Sequence, residues 1–413
     1  MWLWYAIPWY LQLFIFAFIA YSIHYYVFSV RKPMTYIAHG TFRSHLLSQV
    51  PSLYRHYFPT PWCTGTHSMT LMRFFLKSRP HVEYRRELIK LTDGGTAALD
   101  WPVVEPEPYS DTLPICLLIP GVAGHSQESY LLNWVTDLRA IGLRSVVFLN
   151  RGAGGCPLDT PMTYDGFHNK EDLRLAICKI KEKYPQAPII AGGTSMGGIT
   201  LVHYLATYGF EAKVTAAMVQ STGWCIFESV KSLSKPSNMI FNLYLTHRYK
   251  EVIVENKEMF EKDGVDTEEV LKCRTVQEIH KKYVAPQHGY STVEEYWDML
   301  SPHRQLLHVK IPLLSLNAAD DVFSPEKSIP VHLTETNPNI AFVVTAKGGH
   351  IGFMEGVNPR QAGYNDTLFY EYVQMIRKLY DSGELSLDGG WSGEGSDHEE
   401  ADKARQYPVW PQK

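Results

Sequence analysis

Acidic and basic residues are absent from the first thirty positions, although they make up 20% of the 413-residue chain. The stretch 1–30 is rich in Trp, Tyr, Phe, Leu and Ile, and the basic pair Arg31 and Lys32 follows it directly. It is long enough to span a bilayer, and it lacks the basic start and small-residue cleavage site of a secretory signal peptide. We therefore predict a retained transmembrane anchor over 1–30.

Cysteine is sparse, and neither sign of charge is in large excess. The six cysteines are scattered without zinc-ligand spacing, which favours buried free thiols over a disulfide framework. A formal net charge of −4 argues against a nucleic-acid-binding surface. We expect no metal and no organic cofactor, and no obligate protein partner is evident from the sequence.

Strand-like and helix-like runs alternate along much of the remaining chain, which predicts an α/β protein with a mostly parallel central sheet flanked by helices. The alternation stops for about eighty residues, which predicts a helical cap inserted between two parts of one core. The predicted organisation is an anchor (1–30), an irregular lead segment (31–80), the core's first part (81–220), the cap (221–300), the core's second part (301–380) and a disordered acidic tail (381–413).

The pentapeptide Gly193-Thr194-Ser195-Met196-Gly197 lies between an apolar strand-like run, 188–191, and a helix-like run, 199–206. Glycines two residues to either side of a serine at a strand-to-helix corner let the strand and helix approach closely. A serine hydroxyl needs a histidine to take its proton and a carboxylate to orient that histidine. Ser195 is therefore the candidate nucleophile.

Both partners of such a serine occur downstream, each after a predicted strand. The run 312–316 leads to Asp320 and Asp321, and the run 340–345 leads to His350. Pro325 stands four residues after Asp321, as in the usual acid turn, so we select Asp321 and regard Asp320 as a solvated neighbour or turn cap. The chain order Ser, Asp, His is typical of α/β-hydrolases.

An oxyanion hole is the remaining requirement for acyl transfer. The glycine-rich turn 120–124 follows a predicted strand, and we expect the backbone N–H groups of Val122 and Met196 to be the donors. We interpret His125, His168 and His203 as structural, with a role for His125 in shaping the acyl site as the alternative.

These motifs together resemble the AB hydrolase 4 family from about Tyr84 to Tyr380. The resemblance rests on the turn 120–124, the tripeptide 150–152, the elbow 193–197, the acid turn 320–325 and the histidine segment 348–356. It implies an α/β-hydrolase fold, a membrane-anchored enzyme cleaving acyl esters of lipids, and a triad on Ser195, Asp321 and His350. It further implies phosphatidylcholine as substrate.

Several alternatives stay open at this point. The same residues would serve an acylglycerol lipase or an acyltransferase, and a non-catalytic membrane ligand-binding protein on this fold is a remote alternative. Arg31 and Lys32 place the catalytic domain in the cytosol by the positive-inside rule, whereas family members are described with a lumenal domain. We expect a single-pass protein of the endoplasmic reticulum or another endomembrane, with either orientation.

Overall fold

One mixed sheet forms the centre of the computed structural model, which describes residues 8–104 and 110–392. Within these ranges its strands are β1 (Met34–Ile37), β2 (Tyr84–Lys90), β3 (Thr96–Pro102), β4 (Ile115–Ile119), β5 (Arg144–Leu149), β6 (Ile189–Thr194), β7 (Ala216–Gln220), β8 (Leu313–Ala318) and β9 (Ile340–Thr345). The order across the sheet is β1-β9-β8-β7-β6-β4-β5-β3-β2. Strands β4 to β9 pair in parallel, and β1, β2 and β3 pair antiparallel, which confirms the predicted sheet.

Helices cover both faces of this sheet and build the cap. In the described ranges they are α1 (Trp9–Phe28), α2 (Thr41–Gln49), α3 (Thr66–Leu76), α4 (Ser129–Ala140), α5 (Lys170–Lys183), α6 (Met196–Tyr208), α7 (Ile226–Leu233), α8 (Met239–Glu255), α9 (Lys257–Lys262), α10 (Thr267–Lys272), α11 (Val276–Ile279), α12 (Ala285–Gln287), α13 (Val293–Leu300) and α14 (Tyr364–Asp381).

The apolar core has two layers because the parallel strands are buried on both faces. Along β4, Leu118 packs on one side in a cluster with Trp134 and Phe369, and Leu117 packs on the other side with Ile177. Every residue of β4 to β9 is buried, as their almost continuous apolar sequences predict. The carboxyl ends of these strands meet at one edge of the sheet, where open α/β sheets place their sites.

The lead segment 31–80 is not irregular, so that prediction was wrong. It contains β1, α2 and α3, and β1 extends the sheet by pairing with β9, with Met34 opposite Val344. β1 has only four residues, too few for its alternation to stand out. α3 places Thr70 and Arg73 on its buried side, and these polar residues hide its apolar face from a periodicity search.

The cap consists of α7 to α13 with one turn of π-helix at His280–Val284, all between β7 and β8. It has its own apolar cluster, in which Phe260, Tyr283 and Tyr296 are buried. Trp224 belongs instead to the core, where its Nε1–H donates to Asn317 Oδ1 at 3.0 Å.

The two ends of the described chain coincide with the predicted anchor and with the first part of the predicted tail. Helix α1 is long and apolar enough to cross a membrane, and almost all of it is exposed. The Tyr25 hydroxyl near its end donates to the carbonyl of Pro59 at 2.7 Å. The predicted disordered tail, 381–413, is ordered as far as 392, where Leu385 forms a β-bridge with Trp391; residues 393–413 lie outside the described ranges.

Candidate active site

Ser195 occupies a strained corner between β6 and α6. Its backbone has φ 53° and ψ −119°, a conformation that non-glycine residues rarely adopt. A Cβ on Gly197 would lie 2.4 Å from the carbonyl oxygens of Ile119 and Pro120, so only glycine fits there. The pentapeptide therefore forms the sharp strand-to-helix turn that its pattern predicts, with the serine at its apex.

The structure brings together the three predicted triad residues. His350 Nε2 lies 2.9 Å from Ser195 Oγ. On the other side of the ring, His350 Nδ1 lies 2.9 Å from Asp321 Oδ2 and 3.2 Å from Asp321 Oδ1. The Asp321 side chain is fully buried, and that of His350 is 10% exposed. Such a chain can pass the serine proton to imidazole while the carboxylate fixes the tautomer.

The acid turn after β8 holds the Asp321 carboxylate in place. Its Oδ1 accepts backbone N–H bonds from Phe323 at 2.8 Å and Ser324 at 3.3 Å. The Phe323 ring also packs on the His350 ring, with centroids 4.2 Å apart. The imidazole is therefore confined by a charged partner at its edge and an aromatic ring at its face.

Of the two roles predicted for Asp320, a solvated neighbour or a turn cap, its contacts fit the cap. Its Oδ1 accepts the N–H of Gly349 at 2.9 Å, and its carbonyl accepts the Thr66 hydroxyl at 2.6 Å. Burial raises the pKa of the Asp320 carboxyl, and the Gly349 hydrogen bond opposes that shift. Asp320 thus joins the acid turn to the loop that carries His350.

Helix α3 supports the same loop, and sequence reasoning missed this role. The His350 N–H donates to Thr70 Oγ1 at 2.9 Å, and the Thr70 hydroxyl donates to the Thr66 carbonyl at 2.8 Å. A Cβ on Gly349 would lie 2.6 Å from Thr70 Oγ1, so the contact is close. No local pattern marks these threonines, because their partners lie far away in the sequence.

The predicted oxyanion donors, Val122 and Met196, belong to two segments that lie beside Ser195. Gly121 approaches so closely that a Cβ there would lie 3.2 Å from Ser195 Cβ, and Val122 follows it in the turn after β4. Met196 is the first residue of α6, where a backbone N–H has no partner within the helix. Val122, Met196 and Ser195 all line one cavity, so this arrangement suits an oxyanion hole.

That cavity has a volume of about 440 Å³ and lies between the sheet edge and the cap. Its walls are mainly aliphatic and aromatic, including Ile199, Ile226 and Leu300. Sites for small apolar ligands have this size and character. Phe75 and Ile240 line it and are also exposed, so they mark its mouth.

The other histidines lie outside the triad. His203 is buried on α6 with its Nε2 3.2 Å from the Leu300 carbonyl. His125 accepts the Gln127 N–H at 3.2 Å and is not among the residues lining the cavity, so its alternative role in shaping the acyl site finds no support. His168 belongs to a cluster with Asp165 and His288 that the sequence did not reveal.

This cluster is the place among the described residues where a metal ion could be considered. The Asp165 carboxylate lies 2.7 Å from His168 Nδ1 and 3.4 Å from His288 Nε2. The two rings are stacked, with centroids 4.1 Å apart and 8° from parallel, and a nitrogen of each ring approaches the same Asp165 oxygen, Oδ2. Asp165 also accepts the N–H of Phe167 at 2.9 Å. The group therefore forms a polar link between the core and the cap, in which one carboxylate contacts two imidazoles.

A nine-stranded sheet with a serine elbow under a helical cap defines the α/β-hydrolase class. The family model described as "Serine aminopeptidase, S33" matches residues 111–355. Phospholipase ABHD3 of Mus musculus is 41% identical over 362 residues, covering 87% of this chain and 88% of that protein. Protein abhd-3.2 of Caenorhabditis elegans is 31% identical and covers 83% and 92%. Monoacylglycerol lipase ABHD2 of Mus musculus is 26% identical and covers 83% and 85%.

The chain therefore belongs to the Hydrolase_4 family of AB hydrolases, which confirms the resemblance found in its sequence. Its enzyme class is that of the carboxylic ester hydrolases.

Proposed function

We propose that this chain is a membrane-anchored phospholipase that hydrolyses acyl esters of phosphatidylcholine through Ser195, His350 and Asp321. The observation that carries the proposal is the hydrogen-bonded chain Ser195–His350–Asp321 opening on an apolar cavity. The relatives add support, because the proteins of the first three matches are each named Phospholipase ABHD3 and are 41% identical to this chain.

The mechanism follows from the positions of these groups. Ser195 Oγ attacks the ester carbonyl carbon while His350 Nε2 takes the hydroxyl proton. The N–H groups of Val122 and Met196 stabilise the tetrahedral oxyanion. The intermediate collapses, the carbon–oxygen bond to the glycerol side breaks, and His350 returns its proton to the leaving alcohol. Water, deprotonated by His350, then attacks the acyl-enzyme and releases the fatty acid with free Ser195.

The membrane part of the proposal rests on α1 and on the mouth of the cavity. α1 is the helix of the described residues that is long and apolar enough to cross a bilayer. Phe75, Ile240 and Tyr244 line the cavity and are 78%, 54% and 49% exposed, so apolar side chains stand where a lipid would enter.

Extraction with alkaline carbonate tests the anchor, and it should leave the full chain in the membrane fraction. Lysines in place of Phe14 and Ile19 should release it, and their failure to do so would count against anchoring by α1.

The deciding experiment uses the full chain in detergent micelles with dioctanoyl phosphatidylcholine. Wild type should release octanoate and react with a fluorophosphonate probe, and Ser195→Ala should lose both, with a rate loss of about 10⁴-fold or more. Ser48→Ala is the matched control, because the Ser48 hydroxyl bonds only carbonyls of its own helix. Full activity of Ser195→Ala would reject the triad, and hydrolysis of dioctanoylglycerol alone would favour an acylglycerol lipase instead.

A further inference from the structure

Arg73 on α3 is a buried cation in the wall of the cavity that contains Ser195. Its residue exposure is 6%, and it lines the cavity together with Glu128 and Tyr130. The Nε and Nη1 atoms of its guanidinium are buried without a hydrogen-bond partner among the described residues. Neither the triad nor the oxyanion hole uses this side chain.

A buried guanidinium is costly unless an anion or acceptors compensate its lost hydration. Burial lowers the pKa of Arg73, and the nearby Glu128 carboxylate opposes that shift. An arginine nevertheless keeps its proton in proteins, so the charge persists in the cavity wall. Glu128 does not neutralise the Arg73 charge by direct contact. Among the described residues the Glu128 carboxylate forms no ion pair with Arg73, and it lies 3.8 Å from His125 Nε2 instead.

Two aromatic rings lie beside the guanidinium. Its central carbon lies 4.0 Å from the centroid of Phe74 and 5.5 Å from that of Tyr130. The Tyr130 hydroxyl in turn accepts the N–H of Gly121, at the start of the candidate oxyanion turn. A planar cation held in this way, with donors unused, suits the bidentate recognition of a phosphate group.

We propose that Arg73 binds the phosphodiester of a glycerophospholipid whose acyl ester is at Ser195, and so selects phospholipids over neutral glycerides. This inference rests on the proposed ester hydrolysis at Ser195. In such a lipid the phosphate and the acyl ester are joined through one glycerol unit, so a single cavity can hold both. The negative charge of the substrate phosphate then compensates the positive charge of the Arg73 guanidinium.

The first experiment compares two substrates with identical acyl chains, dioctanoyl phosphatidylcholine and dioctanoylglycerol, in the same detergent micelles. Arg73→Met preserves the apolar stem and removes the charge. We expect the ratio of kcat/KM for the phospholipid to that for the glyceride to fall roughly 30-fold or more. Arg73→Lys should retain part of the ratio, because lysine keeps the charge and loses the planar fork.

Arg79→Met is the matched control, because Arg79 lies just after α3, is exposed, and donates to the Phe74 carbonyl at 3.3 Å. It should leave the substrate ratio unchanged. An unchanged ratio in Arg73→Met, or an equal loss on both substrates, would overturn the proposal and leave Arg73 a packing residue.

A second experiment needs only folded wild type. Glycerophosphocholine and inorganic phosphate are tested as competitive inhibitors of p-nitrophenyl butyrate hydrolysis, with glycerol as the uncharged comparison. We expect both phosphate compounds to inhibit, glycerophosphocholine more strongly if the site is shaped for a lipid headgroup. Inhibition by neither would overturn phosphate recognition, while the persisting ester hydrolysis would leave the proposed function of Ser195 intact.

Discussion

The serine elbow and helix α3 support the same site, but they are encoded in different ways. The elbow depends on neighbours along the chain, since the glycines at 193 and 197 make room for the turn at Ser195. α3 acts over long separations: Thr66 contacts Asp320, 254 residues away, and Thr70 contacts His350, 280 residues away. A motif therefore reveals the reacting atoms, whereas the residues that hold those atoms in place are visible only in the fold.

The largest effect on catalysis should come from changing a residue of the triad itself. Asp321→Asn removes the charge that fixes the His350 tautomer, and we expect kcat for a soluble ester to fall about 10⁴-fold. Asp320→Asn is the matched control, because its amide oxygen can still accept the Gly349 N–H. It should cost less than about tenfold. Comparable losses in both variants would contradict the choice of Asp321 over its neighbour.

The elbow itself can be broken sterically. Gly197→Ala puts a methyl group 2.4 Å from two backbone oxygens, so the turn cannot form without displacing β4 or α6. We expect a loss of more than about 3 kcal/mol in the free energy of unfolding, or no folded protein. Gly264→Ala is a milder comparison, because a Cβ there meets no atom within 4 Å, although its φ of +87° adds strain. Chemical denaturation monitored by tryptophan fluorescence measures the free energy of unfolding of both variants.

The long-range side of the comparison should give a smaller effect on catalysis. Thr70→Val removes the acceptor of the His350 N–H while keeping the shape of the side chain. We expect kcat to fall about tenfold with little change in KM, because the imidazole is less well positioned.

Thr246→Val is its control. Both threonines are 3% exposed and donate to the carbonyl four residues earlier, but among the described residues Thr246 forms no hydrogen bond with the loop that carries His350. If the two variants behave alike, α3 does not position the histidine.

The last comparison sets the core against the cap and concerns stability in acid, with no expected effect on catalysis at neutral pH. Burial lowers the pKa of His203 in the core and of His280 in the cap to about 4. The unfolded chain therefore binds more protons between about pH 6.5 and pH 4, so the free energy of unfolding is highest above this window and falls as the pH drops through it. Each histidine should add up to about 1.4 kcal/mol per pH unit to that slope.

Replacing His203 or His280 by Gln should flatten the dependence, as measured by urea denaturation at several pH values. Gln can still donate to the Leu300 carbonyl in place of His203. A slope identical to wild type in both variants would show that acid acts through other groups.

The sequence predicted the strands of the core and the triad because both leave local signals. β4 to β9 are short, almost wholly apolar runs, and Ser195, Asp321 and His350 each follow one of them within a few residues. β1 left no such signal, because four residues with a polar threonine become a strand only by pairing with β9. Arg73 was missed for a related reason: nothing in the sequence shows that a charged residue on a short helix faces a cavity.

The position of β1 and α3 sets a practical limit on how the enzyme can be trimmed. The family match spans 111–355, and a recombinant fragment cut near that start, or even at 81, would expose the β9 edge to aggregation. It would also remove Thr70, which accepts the His350 N–H, and Arg73, which lines the cavity at Ser195. A version without α1 for crystallisation should therefore begin between Ser29 and Pro33, after the helix and before β1.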